Sequence, residues 1–424
     1  MRKVKAQRAQ SLRIFFFMKK VKVLMFGWEF PPHNSGGLGT ACYGLTKALA
    51  RTNVSVTFVL PKRLNDLHHD FLRIVFANVR NVKFRNIKTL LHPYINAELY
   101  DEYLRTALDH EIYGLNLFDE VRRYGLQARV IAAEEEHDVI HAHDWLSFRA
   151  GIEAKRVSGK PLIVHVHATE FDRTGGKPNQ YIYDEERRGL HAADCIIAVS
   201  QHTKNVVVKH YDIDPDKITV VHNGIDHVEH RRHLPPVLEQ IKASGKKIVL
   251  FVGRITIQKG PDYFIQVARR VLDIDPNVLF VISGSGDMEH QIIRLAASLG
   301  LGDKIVFAGF VRGDDLMQLY RAADLYVMPS VSEPFGITAL EALANGTPIL
   351  VSKQSGAAEV LTHALKSDFW DIEDMTDKIV NVVRSPALQK SLGEMGSKDV
   401  EHVTWESAAG KCSVLYENII NNAK

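Results

Sequence analysis

Two acids eight residues apart, Glu333 and Glu341, frame the segment Glu-Pro-Phe-Gly-Ile-Thr-Ala-Leu-Glu, the first before a turn and the second inside a predicted helix. Pro334 and Gly336 shape the turn after an apolar strand at 325–328. The N–H groups of Phe335, Gly336, Ile337 and Thr338 are then expected to be the unpaired donors of a helix start, and such a start attracts a diphosphate. Carboxylates repel phosphate, so these two are expected on neutral hydroxyls: Glu341 on a ribose, Glu333 on a transferred sugar. The plainer reading is a pair of solvated acids near a helix end.

Cations stand in another loop. Residues 253–260 read Gly-Arg-Ile-Thr-Ile-Gln-Lys-Gly after an apolar run, which sets Arg254 and Lys259 on either side of a loop entering a helix. Two fixed cations can neutralise charge building on a departing diphosphate; the alternative is two solvated surface cations. Gly284, in Ser-Gly-Ser-Gly-Asp after the next strand, suits close backbone approach to a ligand. Phe310 and Val311 follow a further strand, where Phe310 either stacks on a base or packs in the core. In the first half, Gly36 and Gly37 precede a helix and serve as a phosphate cradle or a tight turn. Asp144 and His167 end two consecutive predicted strands, in His-Ala-His-Asp-Trp and His-Val-His-Ala-Thr-Glu-Phe-Asp-Arg. Helix capping by Asp144 and hydrogen-bonded core histidines are the competing roles there; clustering opposite the cationic half favours an acceptor and sugar pocket.

The elements that must carry these groups are strands alternating with helices. Apolar runs of buried-strand length lie at 21–26, 54–60, 139–141, 162–166, 195–199 and 218–221, with helical periodicity at 40–50, 146–154 and 184–192. The pattern breaks between 227 and 247 and restarts with strands at 248–252, 278–282, 304–308, 325–328 and 349–351 and helices at 262–272, 289–299, 314–323 and 338–345. The expectation is α/β: two Rossmann-like doubly wound domains facing across a cleft, with ligands past the carboxyl ends of the strands. Residues 1–17 are read as a leader, 18–230 as the acceptor domain, 231–246 as the linker, and 247–403 as the nucleotide-sugar domain. A final helix at 404–424, with Thr404 as N-cap, is expected to pack back on the first domain. Residues 62–137 are less regular and read as an insertion near the cleft.

Composition narrows the function classes. At 424 residues, with 46% hydrophobic and 24% charged residues, the chain suits about two soluble domains. Lys and Arg number 53 against 50 acids, but seven of the bases fall in residues 1–20, leaving 46 against 50. A mildly acidic body argues against nucleic acid as a partner. Cys42, Cys195 and Cys412 are far apart, which points to a reduced cytoplasm and no structural zinc. Twenty histidines invite a metal, yet pairs such as His68 and His69 lack the i, i+4 spacing with a third ligand, so no metal is expected. No run reaches the roughly 20 apolar residues of a membrane-spanning helix.

Together these segments resemble the retaining GT-B glycosyltransferases of family four, and within them the glycogen synthases, especially the shorter archaeal-type enzymes. The resemblance runs from Lys20 to about Asn418. It is carried by Trp28 to Pro32 with the Gly36-Gly37-Leu38 loop, the segments from His141 to Trp145 and from His167 to Arg173, Val221 to Asp226, Arg254 with Lys259, and Glu333 to Glu341. It implies that Arg254 and Lys259 bind the donor diphosphate, Glu333 the donor sugar and Glu341 the ribose. It also implies His167 beside the anomeric centre, Asp144 at the sugar or acceptor side, and transfer with retention without a cofactor or bound metal. Larger bacterial glycogen synthases carry Lys where this chain has Asn34 and Cys where it has Phe335, which leaves ADP-glucose and UDP-glucose both open as donor.

The expected function is transfer of glucose from a nucleotide diphosphoglucose to an α-1,4-glucan. A small or lipid acceptor is the alternative within the enzyme class, and a sugar-nucleotide-binding regulator is the alternative outside it. A nicotinamide dehydrogenase is disfavoured by the missing GxGxxG spacing, and no segment resembles the cofactor-lysine region of a pyridoxal-phosphate phosphorylase.

Overall fold

A computed structural model of the chain describes residues 20–32, 36–62, 69–77, 117–226 and 234–422. The expected leader at 1–17, Asn34 and part of the expected insertion lie outside them.

The strands are short and apolar because parallel sheets covered on both faces leave no polar side. In the first half β1 (Val21–Phe26), β2 (Val54–Leu60), β3 (Arg73–Phe76), β4 (Val139–His143), β5 (Leu162–Val166), β6 (Cys195–Ala198) and β7 (Ile218–Val220) form one sheet in the order β3-β2-β1-β4-β5-β6-β7. In the second half β8 (Lys247–Val252), β9 (Val278–Ser283), β10 (Ile305–Gly309), β11 (Leu325–Met328), β12 (Ile349–Ser352) and β13 (Leu365–Ser367) form another, ordered β10-β9-β8-β11-β12-β13. All pairings are parallel. The two Rossmann-like sheets expected from the alternating pattern are therefore present.

Each sheet reverses its winding once, between β1 and β4 and between β8 and β11. Helices on opposite faces diverge at such a point and leave a crevice past the strand ends. Arg254 and Lys259 follow β8, and Glu333 follows β11. Gly36 and Gly37 follow β1, and Asp144 follows β4. These candidate residues thus fall beside the two reversals, while His167, Gly284 and Phe310 follow the neighbouring strands β5, β9 and β10.

Four apolar clusters fill the two faces of each sheet. The last helix, Trp405–Asn422, lies on the first sheet, not the second: Trp405, Ala409, Cys412 and Tyr416 are buried with Leu45, Val23 and Ile197. Thr404 Oγ1 accepts from the Ser407 N–H at 3.2 Å and closes its first turn. A Cβ on Gly44 would sit 2.2 Å from the Trp405 ring, so this helix needs a glycine beneath its indole.

The expected linker holds a helix, Pro236–Ala243, opened by proline at its first position. None of its residues is buried: Leu238 and Ile241 are half-covered and the rest exposed, so no buried face marked its period.

Contacts between the halves include apolar packing of Val199 and Ile225 against the second core and specific polar pairs. Ser332 Oγ donates to Asp172 Oδ1 at 2.5 Å, and His202 Nε2 lies 3.1 Å from Ser332 Oγ. Glu359 accepts from the N–H groups of Gln201 (2.8 Å) and His202 (2.6 Å), so a carboxylate of the second half meets the start of the helix Gln201–Tyr211 of the first.

Candidate active site in the crevice between two lobes

The loops after β8 and β11 are pinned together by backbone. The Val331 and Ser332 N–H groups donate to the Gln258 carbonyl, at 2.9 and 3.4 Å, and Gln258 is buried. Gly260 has φ +64°, and a Cβ there would meet the Pro329 carbonyl oxygen at 2.2 Å, so only glycine lets the β8 loop pass this close before the helix Pro261–Ile274 begins. The result is an ion pair: Lys259 Nζ lies 2.5 Å from Glu333 Oε2. Ser330 Oγ donates to the same oxygen at 3.3 Å. Glu333 is held along its backbone too, through its N–H to the Gln354 carbonyl and its carbonyl to the Gly356 N–H, both 2.9 Å.

Arg254 Nη2 donates to Gln258 Oε1 at 3.1 Å. Its charge also acts on Asp287, whose carboxyl is raised above its ordinary value by burial, with Arg254 opposing the rise.

Gly336 has φ +103° and opens the helix Ile337–Ala344 with no side-chain cap. Among the described residues the N–H groups of Gly336, Ile337 and Thr338 meet no carbonyl outside that helix. Phe335 is buried, its ring stacked at 5.8 Å on His222 of the first half. One turn further on, Glu341 Oε2 accepts from the Tyr320 hydroxyl at 3.0 Å. Part of this residue is exposed, but its carboxyl is deep enough that burial pushes it up to about 7, against the hydrogen bond from Tyr320. Phe310 is 56% exposed, with the Arg312 guanidinium 4.9 Å from its ring centre and Val311 partly covered beside it. It is not a core residue.

Gly284 also meets a need within the chain itself. A Cβ there would lie 1.8 Å from the Gly253 carbonyl oxygen, and one on Gly286 2.3 Å from that of Ile255. The close approach is between two loops of the chain itself, and it fixes the loop that carries Arg254.

In the first lobe, Gly36 precedes the helix Gly37–Leu49, whose start already receives an acid: Gly39 N–H donates to buried Glu29 Oε1 at 3.0 Å. A carboxylate at a helix start competes with phosphate for the same dipole. Asp144 sits at the start of the helix Trp145–Ser158, yet its side chain does not cap it. Its φ of +57° turns the carboxylate to β5, where Oδ1 accepts from the N–H groups of His167 (2.7 Å) and Ala168 (3.4 Å). Burial pushes this carboxyl up to about 7 although Arg173 pulls the other way. His167 is buried, with Nε2 2.9 Å from His143 Nδ1, and burial holds it down at about 3, neutral.

The structure thus joins Lys259 to Glu333 and Asp144 to His167. Three groups that sequence reasoning did not single out as site residues, apart from His167 itself, support them. Buried Arg173 pairs with Glu170 (2.9 Å) and with Glu186, which also takes a hydrogen bond from Tyr211. Ser332 and Glu359 join the lobes, as above. Finally, His141, His143, His165 and His167 stack on one face of the sheet. The signal for the last was present as His-Ala-His and His-Val-His, a strand spacing passed over in favour of the helical one.

Known proteins share this architecture. Residues 35–229 match the Glycosyltransferase Family 4 pattern and residues 238–399 the Glycosyl transferases group 1 pattern. An uncharacterised glycosyltransferase of Methanocaldococcus jannaschii is 30% identical over 94% of this chain and 98% of its own. A glycogen synthase of Mycobacterium tuberculosis is 27% identical over 93% and 94%. A solved trehalose-6-phosphate protein of E. coli bound with UDP-2-fluoro glucose superposes with a TM-score of 0.70 at 15% identity, over 94% of this chain and 99% of that one. Among the described residues no helix is long and apolar enough to cross a membrane. With one relative alike along nearly its whole length and both halves matched in order, the chain belongs to the two-domain group 1 glycosyltransferases with a family 4 N-terminal half, and is a transferase.

Proposed function

We propose that this protein transfers glucose from a nucleotide diphosphoglucose to the non-reducing end of an α-1,4-glucan, with retention at the anomeric carbon. The observation that carries the reading is the Lys259–Glu333 pair, set beside an uncapped helix start at the winding reversal of the second sheet. Cation and helix start suit a diphosphate, the acid suits a sugar hydroxyl, and Phe310 offers an exposed ring for the base. The glycogen synthase among the relatives supports the glucan as acceptor.

In the reaction read this way, the acceptor hydroxyl oxygen bonds to the anomeric carbon on the face from which phosphate leaves. The bond from that carbon to the phosphate oxygen breaks, and this oxygen takes the hydroxyl proton, so nucleoside diphosphate departs with the charge balanced. Arg254 and Lys259 stabilise the charge that grows on the leaving group. Lys259 begins in contact with Glu333, so donor binding makes it share its charge between the acid and the phosphate. Glu333 orients the sugar. His167 and Asp144 line the other side, where a neutral imidazole suits an uncharged sugar. The chemistry needs no metal, since cationic side chains and a helix start supply the positive field.

A panel of nucleotide sugars offered with glycogen, maltooligosaccharides, small alcohol acceptors or none, followed by nucleoside diphosphate release, tests the reading. Release that depends on glucan supports it. Release driven by a small acceptor alone, or none at all despite donor binding, refutes it.

A further inference from the structure

His141 and His143 flank Ala142 on β4, and His165 and His167 flank Val166 on β5, so all four imidazoles leave the same face of the sheet. The register sets His143 directly beside His165. The helix Trp405–Asn422 covers this face and brings the Tyr416 hydroxyl 2.7 Å from His141 Nδ1. His141, His143 and His165 are 0%, 0% and 2% exposed, and their ring centres are 4.3, 5.1 and 5.4 Å apart.

Their nitrogens are not satisfied. Among the described residues no hydrogen-bond partner reaches His141 Nε2, His143 Nε2 or either nitrogen of His165. A buried polar atom without a partner costs about 1–3 kcal/mol, so four of them in one closed cluster call for a cause. The pattern of partnered atoms points to one. His141 is held through Nδ1 by Tyr416 and His143 through Nδ1 by His167. A ligating imidazole is held in this way, with one nitrogen fixed by a protein group and the other lone pair turned to an ion.

One ring nitrogen from each of His141, His143 and His165 lies within 4.8 Å of the other two. We infer that these three residues bind a divalent first-row transition-metal ion, with zinc as the ion the ligands suit. Three neutral nitrogens without carboxylate or carbonyl select against magnesium and calcium. Three histidines also leave a fourth tetrahedral position for water. Zinc–nitrogen bonds of about 2.0–2.1 Å require ligand atoms about 3.4 Å apart, so binding draws the nitrogens together by up to about 1.4 Å through side-chain torsions. The site belongs to the first lobe, whereas the cations assigned to the diphosphate belong to the second. The ion fastens the ends of β4 and β5 under the last helix and takes no part in phosphate departure.

The test is metal content and uptake in the full chain, purified without a histidine tag. Elemental analysis should find about one zinc per chain. The stripped protein should take up zinc in a competition titration, and Co2+ should give the visible d–d absorption of a tetrahedral nitrogen site. Added zinc should raise the melting temperature of the wild type, because only the folded chain presents the three ligands. His165→Gln should weaken zinc by at least about tenfold and abolish the cobalt bands. Tyr416→Phe, which keeps the buried ring, should weaken it by about tenfold and guards against a ligand variant that does not fold. A wild type that takes up neither zinc nor cobalt overturns the site. So does uptake that neither substitution changes, since the ion would then lie elsewhere. None of these readouts requires turnover, so they stand apart from the test of the transfer reaction.

Discussion

The two winding reversals use opposite electrostatic means. At the second, fixed charge is presented to the crevice: Lys259 on Glu333, Arg254 on its own loop, and a helix start without a cap. At the first, charge is suppressed: His167 is held neutral, burial pushes Asp144 up to about 7, and Arg173 is enclosed by Glu170 and Glu186. The same βαβ architecture thus carries open fixed charge at one reversal and compensated or neutralised groups at the other. The difference lies in side chains at four strand ends and not in topology.

The harshest way to break this contrast is to remove the cations. Arg254→Ala with Lys259→Ala should cost more than about 10³ in kcat, given that losing one such donor costs about 10²–10³. A rate near wild type would place the phosphates elsewhere. Glu333→Gln should lower kcat by about 10²–10³ while nucleoside diphosphate affinity, measured by calorimetry, changes little. His167→Ala should show the same split from the other lobe. Equal loss of turnover and of nucleotide binding in either variant would erase the proposed division of labour.

Phe310→Ala sharpens the contrast within the second lobe. A lost base stack of about 1–3 kcal/mol should raise the donor KM by roughly tenfold and leave kcat near wild type. An unchanged KM would leave Phe310 to its contact with Arg312.

The smallest effect concerns Glu341. Its folded-state carboxyl titrates near 7, above the ordinary 4.5, so the folded chain holds a proton that the unfolded chain has released between those values. That contribution to stability is complete below pH 4.5 and is lost as pH rises through 7. Wild type should therefore lose melting temperature between pH 5 and 8 relative to Glu341→Gln, with the two close at pH 5. Parallel profiles would mean that the carboxyl is solvated.

Much of the fold was legible because apolar runs bounded by Gly and polar loops betray buried parallel strands. Strands β3 and β13 escaped that reading: Arg73–Phe76 and Leu365–Ser367 are edge strands with few buried side chains. The helices Ile372–Arg384 and Pro386–Val400 also escaped, although Met375, Ile379, Val380 and Val383 make a regular buried stripe on the first. At the site, acids and cations were visible as residue types after strands. Their pairing was not, because Lys259 and Glu333 are joined through the Gln258 carbonyl rather than through any local period.

Residue types and local spacing determined by themselves that strands alternate with helices, that the pattern occurs twice, and that acids, cations and histidines end particular strands. Local periodicity is enough for this, since burial of a strand or helix face depends on neighbours along the chain. Only the tertiary structure decided which side chains share a partner. It brought Lys259 to Glu333, turned Asp144 away from its own helix to His167, made Gly284 a seat for Gly253, and closed a histidine face under Tyr416. Each of these joins residues from separate strands or from opposite ends of the chain, and sheet order and register, set by the packing of the whole lobe, place them within reach.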